Sequence, residues 1–423
     1  MIQTEGCNAL NNFFRKNMPL TTRPASDSEV GLGRPYTVPC VRGFRNFFYW
    51  DTCFANWGLL EMGMTEQARN NLRNMAELIS RWGYVPNADV LTNRSQPPLF
   101  VRSVFDYVEA TGDRSVIGEL LPAMVREHDF WRVCRAAPCG LTRYGNSADA
   151  EGLREFNEDI SRRLGLTEGD LAEGPEDPNL MACAESGWDF SSRFFDGMTC
   201  VAAHICPVDL NAMLFDAEQK IAAFAAEAGD DGLSRTFSGY AGTRLAKMRE
   251  LMYDPERKLF LDYDCRTGTR RREVRHAGSF AAAAFGAGGS AEGLTALLRV
   301  LECEHGLAVC EKSPFSERFQ WDFPFMWAPV TAIAWEGLKA VGLLAAADRL
   351  RDKFCTTVER VFQKTGNLWE KYDALTGEKG VSCEYETPPM LGWTAGVYLR
   401  FRTAENKTVQ PERERIEALK AAL

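Results

Sequence analysis

Helical periodicity in paired segments is the feature that most restricts how this chain can fold. Apolar residues recur at helical spacing over 51–62 and 65–82, and the pause at Gly63 and Met64 predicts a hairpin between them. Further helices are predicted at 100–110, 115–132, 209–228, 231–252, 279–285, 291–303, 324–341, 343–363 and 392–402. About twelve helices with short connections predict an all-α bundle or α/α barrel. A solenoid would use the same units, but its functional residues would line one concave ribbon, whereas the polar motifs here lie in loops.

The two ends of the chain differ from this pattern. Four prolines break any long helix near the start: Pro19, Pro24, Pro35 and Pro39. We therefore expect an irregular N-terminal arm over 1–43 and one helical domain over 44–402. Residues 403–423 are rich in Glu, Lys and Arg and predict a charged surface helix or tail.

Strand signal is confined to two similar loops, each ending in Tyr-Asp-x-x-Thr-Gly. The loops are 259–268 and 367–377, and their shared ending is typical of a β-hairpin. When the loops are matched on Tyr-Asp, Glu370 falls where the first loop has Leu261. The residues that both loops share are explained by the β-hairpin they form. Glu370, which the first loop lacks, is therefore a candidate catalytic residue.

Three of the ten tryptophans are followed directly by aspartate. The pairs are Trp50-Asp51, Trp188-Asp189 and Trp321-Asp322. An indole packs on the apolar face of a sugar, while a carboxylate accepts hydrogen bonds from sugar hydroxyls. Each pair could instead be a core tryptophan followed by a helix N-cap. Three such pairs, each in an aromatic and polar loop, favour a carbohydrate pocket.

Other loops carry the same mixture of groups. Asn93-Arg94-Ser95-Gln96 offers planar hydrogen-bonding groups before a helix, although it could also be a capped helix start with an exposed arginine. Asn87 is expected at a loop tip. Residues 319–329 are too aromatic for a solvated loop, and their polar members favour a cavity wall because unpartnered polar groups are costly in a core.

Glycoside hydrolysis requires one carboxylic acid to protonate the leaving oxygen and one carboxylate to activate water or attack carbon. Aspartate and glutamate on separate loops meet this requirement. The segment 184–193 concentrates the parts of such a site, because it holds two carboxylates, an indole, a small-residue turn and a guanidinium.

These blocks resemble, in order, the signatures of trehalases of glycoside hydrolase family 37. The matching segments are 48–51, 93–98, 184–193, 320–329 and 370–373. The resemblance implies an (α/α)6 barrel that hydrolyses an α-glucosidic bond with inversion, first of all that of α,α-trehalose, without a cofactor or metal. It implies Asp189 as general acid and Glu370 as general base. The residues expected to bind the sugar are Phe44, Tyr49, Trp50, Asp51, Asn87, Arg94, Gln96, Gly187, Trp188, Gln320, Trp321, Asp322, Trp327 and Glu384.

The chain departs from this family where the leaving sugar would be held. Gly43 stands where trehalases have an arginine, and Arg154-Glu155-Phe156 stands for an Arg-Pro-Glu-Ser run. The alternative is therefore an α-glycosidase of the family 63 type, acting on another α-glucoside or on glucosyl- or mannosylglycerate. A non-catalytic sugar-binding barrel is a third possibility, but the retention of both carboxylates argues against it.

Charge and cysteine usage exclude other classes. The net charge of -9 and the scattered Lys and Arg argue against nucleic acid, and no run approaches the roughly 20 apolar residues of a membrane span. The first residues lack the apolar core of a secretory signal, so we expect a cytoplasmic protein. Thirteen cysteines without a CxxC pair indicate reduced core thiols, and four histidines without ligand spacing indicate no metal site. The expected partner is a small sugar, and the sequence leaves the oligomeric state open.

Overall fold

The structure, a computed structural model, describes residues 2–316, 318–382 and 386–405, with side chains from residue 9 onward. The α-helices are α1 (Ile2–Asn17), α2 (Tyr49–Glu61), α3 (Thr65–Trp82), α4 (Phe100–Thr111), α5 (Ser115–Cys134), α6 (Ala150–Leu164), α7 (Asn179–Glu185), α8 (Val208–Glu227), α9 (Asp231–Leu251), α10 (Ala281–Ala284), α11 (Ala291–Leu301), α12 (Ala328–Ala340) and α13 (Leu344–Thr365). Residues 392–405 form a further helix, here called the closing helix. None of the described helices is long and apolar enough to cross a membrane.

Six helices form a closed inner ring. In ring order they are α2, α4, α8, α10, α12 and the closing helix, and each of the first four packs against the next. The closing helix joins α12 through Phe401 and Trp335, whose ring centroids are 5.0 Å apart. It joins α2 at Gly396, where a Cβ would lie 1.9 Å from the Phe54 carbonyl oxygen. Only glycine permits this approach of the two backbones.

An outer ring of amphipathic helices covers the inner one. Helix α3 buries the predicted stripe of Leu72, Met75 and Leu78, and it packs on α2, α4 and α5. The pairs α8–α9 and α12–α13 pack in the same way, and α1 packs on α13. Six inner helices alternating with the outer helices α1, α3, α5, α9, α11 and α13 confirm the predicted (α/α)6 barrel.

Three helices were not anticipated from the sequence. The expectation of an irregular arm is wrong for Ile2–Asn17, because the first proline comes after this segment and Leu10 and Phe14 are buried in the barrel. Helix α6 is capped at its N-terminus by Asp149, whose side chain accepts a hydrogen bond from the Gly152 N–H at 2.8 Å. Helix α7 leads directly into the segment 184–193.

The C-terminal end of the expected domain also shifts. The closing helix continues past residue 402 to residue 405, and the rest of the predicted tail lies outside the described residues.

Short strands connect the helices. They are β1 (Thr22–Arg23), β2 (Tyr36–Thr37), β3 (Phe195–Asp196), β4 (Thr199–Cys200), β5 (Ile205–Cys206), β6 (Tyr253–Asp254), β7 (Leu259–Phe260), β8 (Tyr263–Asp264), β9 (Thr269–Arg270), β10 (Phe325–Trp327) and β11 (Lys371–Asp373). The first predicted hairpin loop forms β8 and β9, with β5 on the other side of β8. In the second loop, Tyr372 bridges Lys379, and β11 also pairs with β10. This pairing brings Glu370 beside the aromatic segment that ends at Trp327.

Candidate active site

A cavity of about 450 Å³ lies at the N-terminal ends of α2, α12 and the closing helix. This volume is typical of a small-molecule site. Of the predicted residues, the cavity is lined by Phe44, Trp50, Asp51, Asn87, Arg94, Gln96, Gly187, Asp189, Trp321, Trp327 and Glu370. Both expected catalytic carboxylates therefore face one space, although 181 positions separate them in the sequence.

The first turn of α2 is fixed by the loop that precedes α4. The Tyr49 N–H donates to the Asn87 carbonyl at 3.1 Å, and the Trp50 N–H donates to Gln96 Oε1 at 3.2 Å. These bonds satisfy donors that a helix start leaves unpaired. Gly187 closes the wall with a φ of 73°, and a Cβ there would lie 2.9 Å from Trp50 Cζ2. The close approach places the segment 184–193, here called the acid loop, directly against the Trp50 ring.

Asp189 has the environment of a general acid. Burial raises the pKa of its carboxyl from 3.8 to about 6, and this effect outweighs the Arg94 charge, which lowers the pKa. Its backbone carbonyl accepts a hydrogen bond from Gln320 Nε2 at 2.7 Å. A carboxyl group with a pKa near 6 can hold a proton and release it during the reaction.

Both the backbone and the side chain of Glu370 are held by neighbouring residues. Its carbonyl accepts a hydrogen bond from Trp393 Nε1 at 3.0 Å, and Lys371 Nζ lies 3.4 Å from its Oε2. Lys371 Nζ also donates to Gln320 Oε1 at 2.7 Å. The Gln320 amide therefore donates to the Asp189 backbone and accepts from the residue after Glu370. One side chain connects the acid segment to the base segment.

Asp51 is a second buried carboxyl group with a raised pKa, and unlike Asp189 it remains mostly protonated at neutral pH. Burial, together with the nearby charges of Glu370 and Asp189, raises its pKa from 3.8 to about 8. A protonated carboxyl can donate a hydrogen bond as well as accept one. Asp51 can therefore bind a sugar hydroxyl in either sense.

Four indoles form the aromatic part of the wall: Trp50, Trp321, Trp327 and Trp393. The rings of Trp321 and Trp327 stack with centroids 3.8 Å apart and an angle of 7° between their planes. The Trp50 and Trp321 centroids are 5.6 Å apart. Flat apolar surface next to carboxyl groups is the combination that a pyranose ring requires, because a sugar has both apolar faces and peripheral hydroxyls.

Four predicted residues in the described chain lie behind the cavity wall: Tyr49, Trp188, Gln320 and Asp322. The Tyr49 hydroxyl donates to Glu127 Oε1 at 2.7 Å, and it accepts from the Phe100 N–H at 2.9 Å. These contacts make Tyr49 a brace between α2, α4 and α5. Glu384 lies outside the described residues.

Trp188 and Asp322 support the acid loop from behind. The Arg193 guanidinium lies 4.7 Å from the centre of the Trp188 ring. Asp322 Oδ1 accepts from the Ser192 hydroxyl at 2.9 Å and from the Ser191 hydroxyl at 3.2 Å. The Trp50-Asp51 pair lies in the first turn of α2, and both of its side chains line the cavity. The other two pairs lie in loops, and only one side chain of each, Asp189 and Trp321, lines the cavity.

The two other charged side chains of the segment 184–193, Glu185 and Arg193, are also buried and support the loop through ion pairs. Arg193 forms paired hydrogen bonds with Asp209 at 2.7 and 2.8 Å and with Asp262 at 2.7 and 2.8 Å. Glu185 accepts from Arg135 at 2.7 and 2.8 Å and from the Ser95 N–H at 2.9 Å. Glu185 therefore joins the acid loop to the loop 93–98 through Ser95. Separating these charged groups would leave a buried charge without its partner, which is costly in free energy.

Six lining residues were not predicted: Pro39, Phe48, Leu91, Arg163, Met390 and Trp393. Arg163 lies on α6, which was missed as a helix, and its charge lowers the pKa of Asp189. Arg154, the residue matched to the family's Arg-Pro-Glu-Ser run, pairs with Glu176 at the surface. The amphipathic pattern of α6, with Ile160 and Leu164 buried, was the available signal that a helix and its arginines border the site.

A sequence profile of the family Trehalase matches residues 7–405. The chain belongs to the trehalase family. A periplasmic trehalase of Pseudomonas aeruginosa is 32% identical over 407 residues, which cover 89% of this chain and 72% of that protein. The neutral trehalase of Saccharomyces cerevisiae superposes with a TM-score of 0.72 at 27% identity, over 87% of this chain and 73% of that one. This member of the trehalase family is a glycoside hydrolase.

The fold also resembles that of a more distant enzyme. A family 63 mannosylglycerate hydrolase of Thermus thermophilus superposes with a TM-score of 0.62 at 18% identity, over 95% of this chain and all of that chain (100%). Identity at this level supports a shared fold and nothing more specific.

The expected cytoplasmic location is contradicted by these relatives. The Pseudomonas aeruginosa protein is a periplasmic trehalase, so this relative does not support a cytoplasmic location. The expectation failed because composition and the first few residues carry little information about the compartment of an otherwise ordinary globular enzyme.

Proposed function

We propose that the protein hydrolyses α,α-trehalose to two glucose molecules with inversion, using Asp189 as general acid and Glu370 as general base. The observation that carries the proposal is that both carboxylates line one cavity, in a chain that the trehalase profile matches over almost its whole described length. The relatives named above are trehalases, and this supports trehalose as the substrate.

The proposed reaction needs one water and two proton transfers. Protonated Asp189 donates its proton to the glycosidic oxygen while the bond from that oxygen to C1 breaks. Glu370 accepts a proton from the water whose oxygen attacks C1 from the opposite face. One glucose leaves with its own anomeric configuration unchanged, and the other is released as the β-anomer. Afterwards Asp189 is ionised and Glu370 is protonated, and exchange with solvent restores both groups.

The other lining groups position the sugar. The indoles of Trp50 and Trp321 offer flat surface for a glucosyl ring, and Asp51 and Gln96 offer hydrogen bonds to its hydroxyls. Arg94 bonds Asn93 Oδ1 at 2.8 Å through Nη1, while its buried Nε has no partner among the described residues. Because the Arg94 side chain lines the cavity, its guanidinium is suited to bind an oxygen of the leaving sugar.

A second substrate class is favoured by one observation. Arg94 and Arg163 both line the cavity and both act on the pKa of Asp189 through their charges. Two guanidinium groups could bind the carboxylate of a glycosyl acid such as glucosylglycerate more strongly than they bind a neutral glucose. Hydrolysis of glucosyl- or mannosylglycerate is therefore the alternative to hydrolysis of trehalose.

Proton NMR of the first sugars released tests the stereochemistry. From α,α-trehalose, inversion gives α- and β-glucose in equal amounts before mutarotation, whereas retention gives only α-glucose. Parallel rate measurements with kojibiose, nigerose, glucosylglycerate and mannosylglycerate test the substrate. If glucosylglycerate or mannosylglycerate is hydrolysed faster than trehalose, the glycosylglycerate is the substrate and trehalose is not. Trehalose binding without any turnover would instead leave a sugar-binding protein.

A further inference from the structure

Three cysteines far apart in the sequence meet at one place outside the cavity. Cys139 follows α5, Cys206 lies in β5, and Cys265 lies in the turn between β8 and β9. The Sγ–Sγ distances are 3.7 Å for Cys139–Cys206, 3.5 Å for Cys206–Cys265 and 3.6 Å for Cys139–Cys265. Cys206 is fully buried, while the other two are partly exposed. The cluster can therefore be reached from solvent on one side.

The spacing of the sulfurs can be compared with metal geometry. With zinc–sulfur bonds of about 2.3 Å, tetrahedral ligands lie about 3.8 Å apart, while three ligands in one plane with the metal would lie about 4.0 Å apart. The three observed distances are close to the tetrahedral value, and they exceed the roughly 2.05 Å of a disulfide bond. Thiolates are also the ligands that select soft or borderline ions such as Zn²⁺.

A positive charge lies beside the cluster. The Arg143 guanidinium is close enough to Cys265 to act on it electrostatically. A bound divalent ion would displace the thiol protons, and the guanidinium would offset part of the negative charge of three thiolates around the ion.

We propose that Cys139, Cys206 and Cys265 form a structural zinc site, with water as the fourth ligand on the exposed side. Structural zinc sites almost always have four protein ligands, whereas three protein ligands with a water in the fourth position are the arrangement of catalytic zinc sites. Binding releases the protons of the thiols that are still protonated and involves no redox step. No local spacing in the sequence indicates this site, because its ligands are 67 and 59 positions apart along the chain.

The site would stabilise the segments that hold the acid loop. Cys206 lies three positions before Asp209, and Cys265 lies three positions after Asp262. These two aspartates bind the Arg193 guanidinium in the acid loop. A metal that joins β5 to the turn after β8 would fix the relative positions of both carboxylates. Its role would be structural, because none of the three cysteines lines the cavity.

The test is the metal content of the full-length protein purified without chelator. Elemental analysis should find about one zinc per chain in the wild type and in Cys303→Ser, and less than a tenth of that in Cys206→Ser and Cys265→Ser. Cys303 is the matched control, because it is partly exposed like two of the cluster cysteines and its Sγ contacts the Leu301 carbonyl instead.

Two further measurements keep the test independent of whether the variants fold. Wild-type protein stripped with a chelator should bind Co²⁺ with the thiolate charge-transfer absorption of a tetrahedral site, and one equivalent of Zn²⁺ should displace it. Zn²⁺ should also raise the Tm of the stripped protein. The proposal is overturned if stripped wild type binds neither ion at micromolar concentration or if the cysteine variants retain full zinc. It is also overturned if intact mass shows two of these sulfurs joined as a disulfide in the protein as isolated.

Discussion

Raising the pH above about 6 should inhibit hydrolysis by removing the proton from Asp189. Burial raises the pKa of this carboxyl from 3.8 to about 6, and the proposed role requires the protonated form, so activity is lost as pH rises through the folded-state pKa. The protonated fraction is then about one half at pH 6, about a tenth at pH 7 and about a hundredth at pH 8. The alkaline limb of the pH profile should follow these fractions.

The assay is kcat/KM for trehalose between about pH 4 and pH 9, because this ratio reports the ionisation of the free enzyme. Asp189→Asn should lower the rate by about 10²- to 10⁴-fold and remove the alkaline limb. Asp322→Asn is the matched control. Asp322 also follows a tryptophan and has a pKa raised by burial to about 7, but it lies behind the wall and binds Ser191 and Ser192.

The outcome for the control separates the two carboxyls. Asp322→Asn is expected to weaken the support of the acid loop and lower the rate, yet to keep the alkaline limb near pH 6. If the limb disappears in Asp322→Asn and persists in Asp189→Asn, Asp189 is not the acid. A near-normal rate in Asp189→Asn would lead to the same conclusion.

Three further changes test other parts of the site. Glu370→Gln should lower kcat about 10²- to 10⁴-fold with an unchanged circular dichroism spectrum, and a fall of less than tenfold would exclude Glu370 as base. Asp51→Asn should lower turnover but raise the Tm at pH 7 by about 4 °C. The carboxyl of Asp51 has a pKa of about 8 in the folded protein and would be ionised in the unfolded chain at pH 7, and this difference destabilises the folded protein by about 4 kcal/mol. The gain should vanish near pH 4, where the unfolded chain also keeps the proton, and an equal gain at both pH values would contradict the cause. Arg193→Met should lower the Tm measured by calorimetry by about 4 °C. Breaking a buried ion pair costs about 3–5 kcal/mol, because the carboxylates of Asp209 and Asp262 lose the Arg193 cation. An unchanged Tm would show that another group neutralises these carboxylates.

Local patterns predicted the helices well because burial imposes them directly. The stripe of Leu72, Met75 and Leu78 gave α3 with its observed ends, and the paired Tyr-Asp loops singled out Glu370 before any contact was known. Helix α1 was not predicted because the four prolines after residue 18 were taken to exclude a helix anywhere in residues 1–43. A proline ends a helix only at its own position, and it does not act on the sixteen residues before it.

Long-range contacts were beyond the sequence. Gln320 was expected in the wall, but nothing local indicates that its amide joins the backbone of Asp189 to Lys371. Arg163 was missed because a charged residue on an outer turn of α6 looks solvated until the fold brings that turn over the cavity. The orientation of Trp188 depended in the same way on Arg193, which occupies the space behind its ring.

The junction between the closing helix and α2 sets an order of events during synthesis. The ribosome makes α2 early, but its neighbour at Gly396 emerges only after most of the chain has been translated. Until then the nascent barrel is a ring with one gap, and Trp393 is not yet in place to hold the backbone of Glu370. The general base would therefore be the last part of the site to be positioned, so that chains interrupted before residue 392 would carry the acid loop and remain inactive.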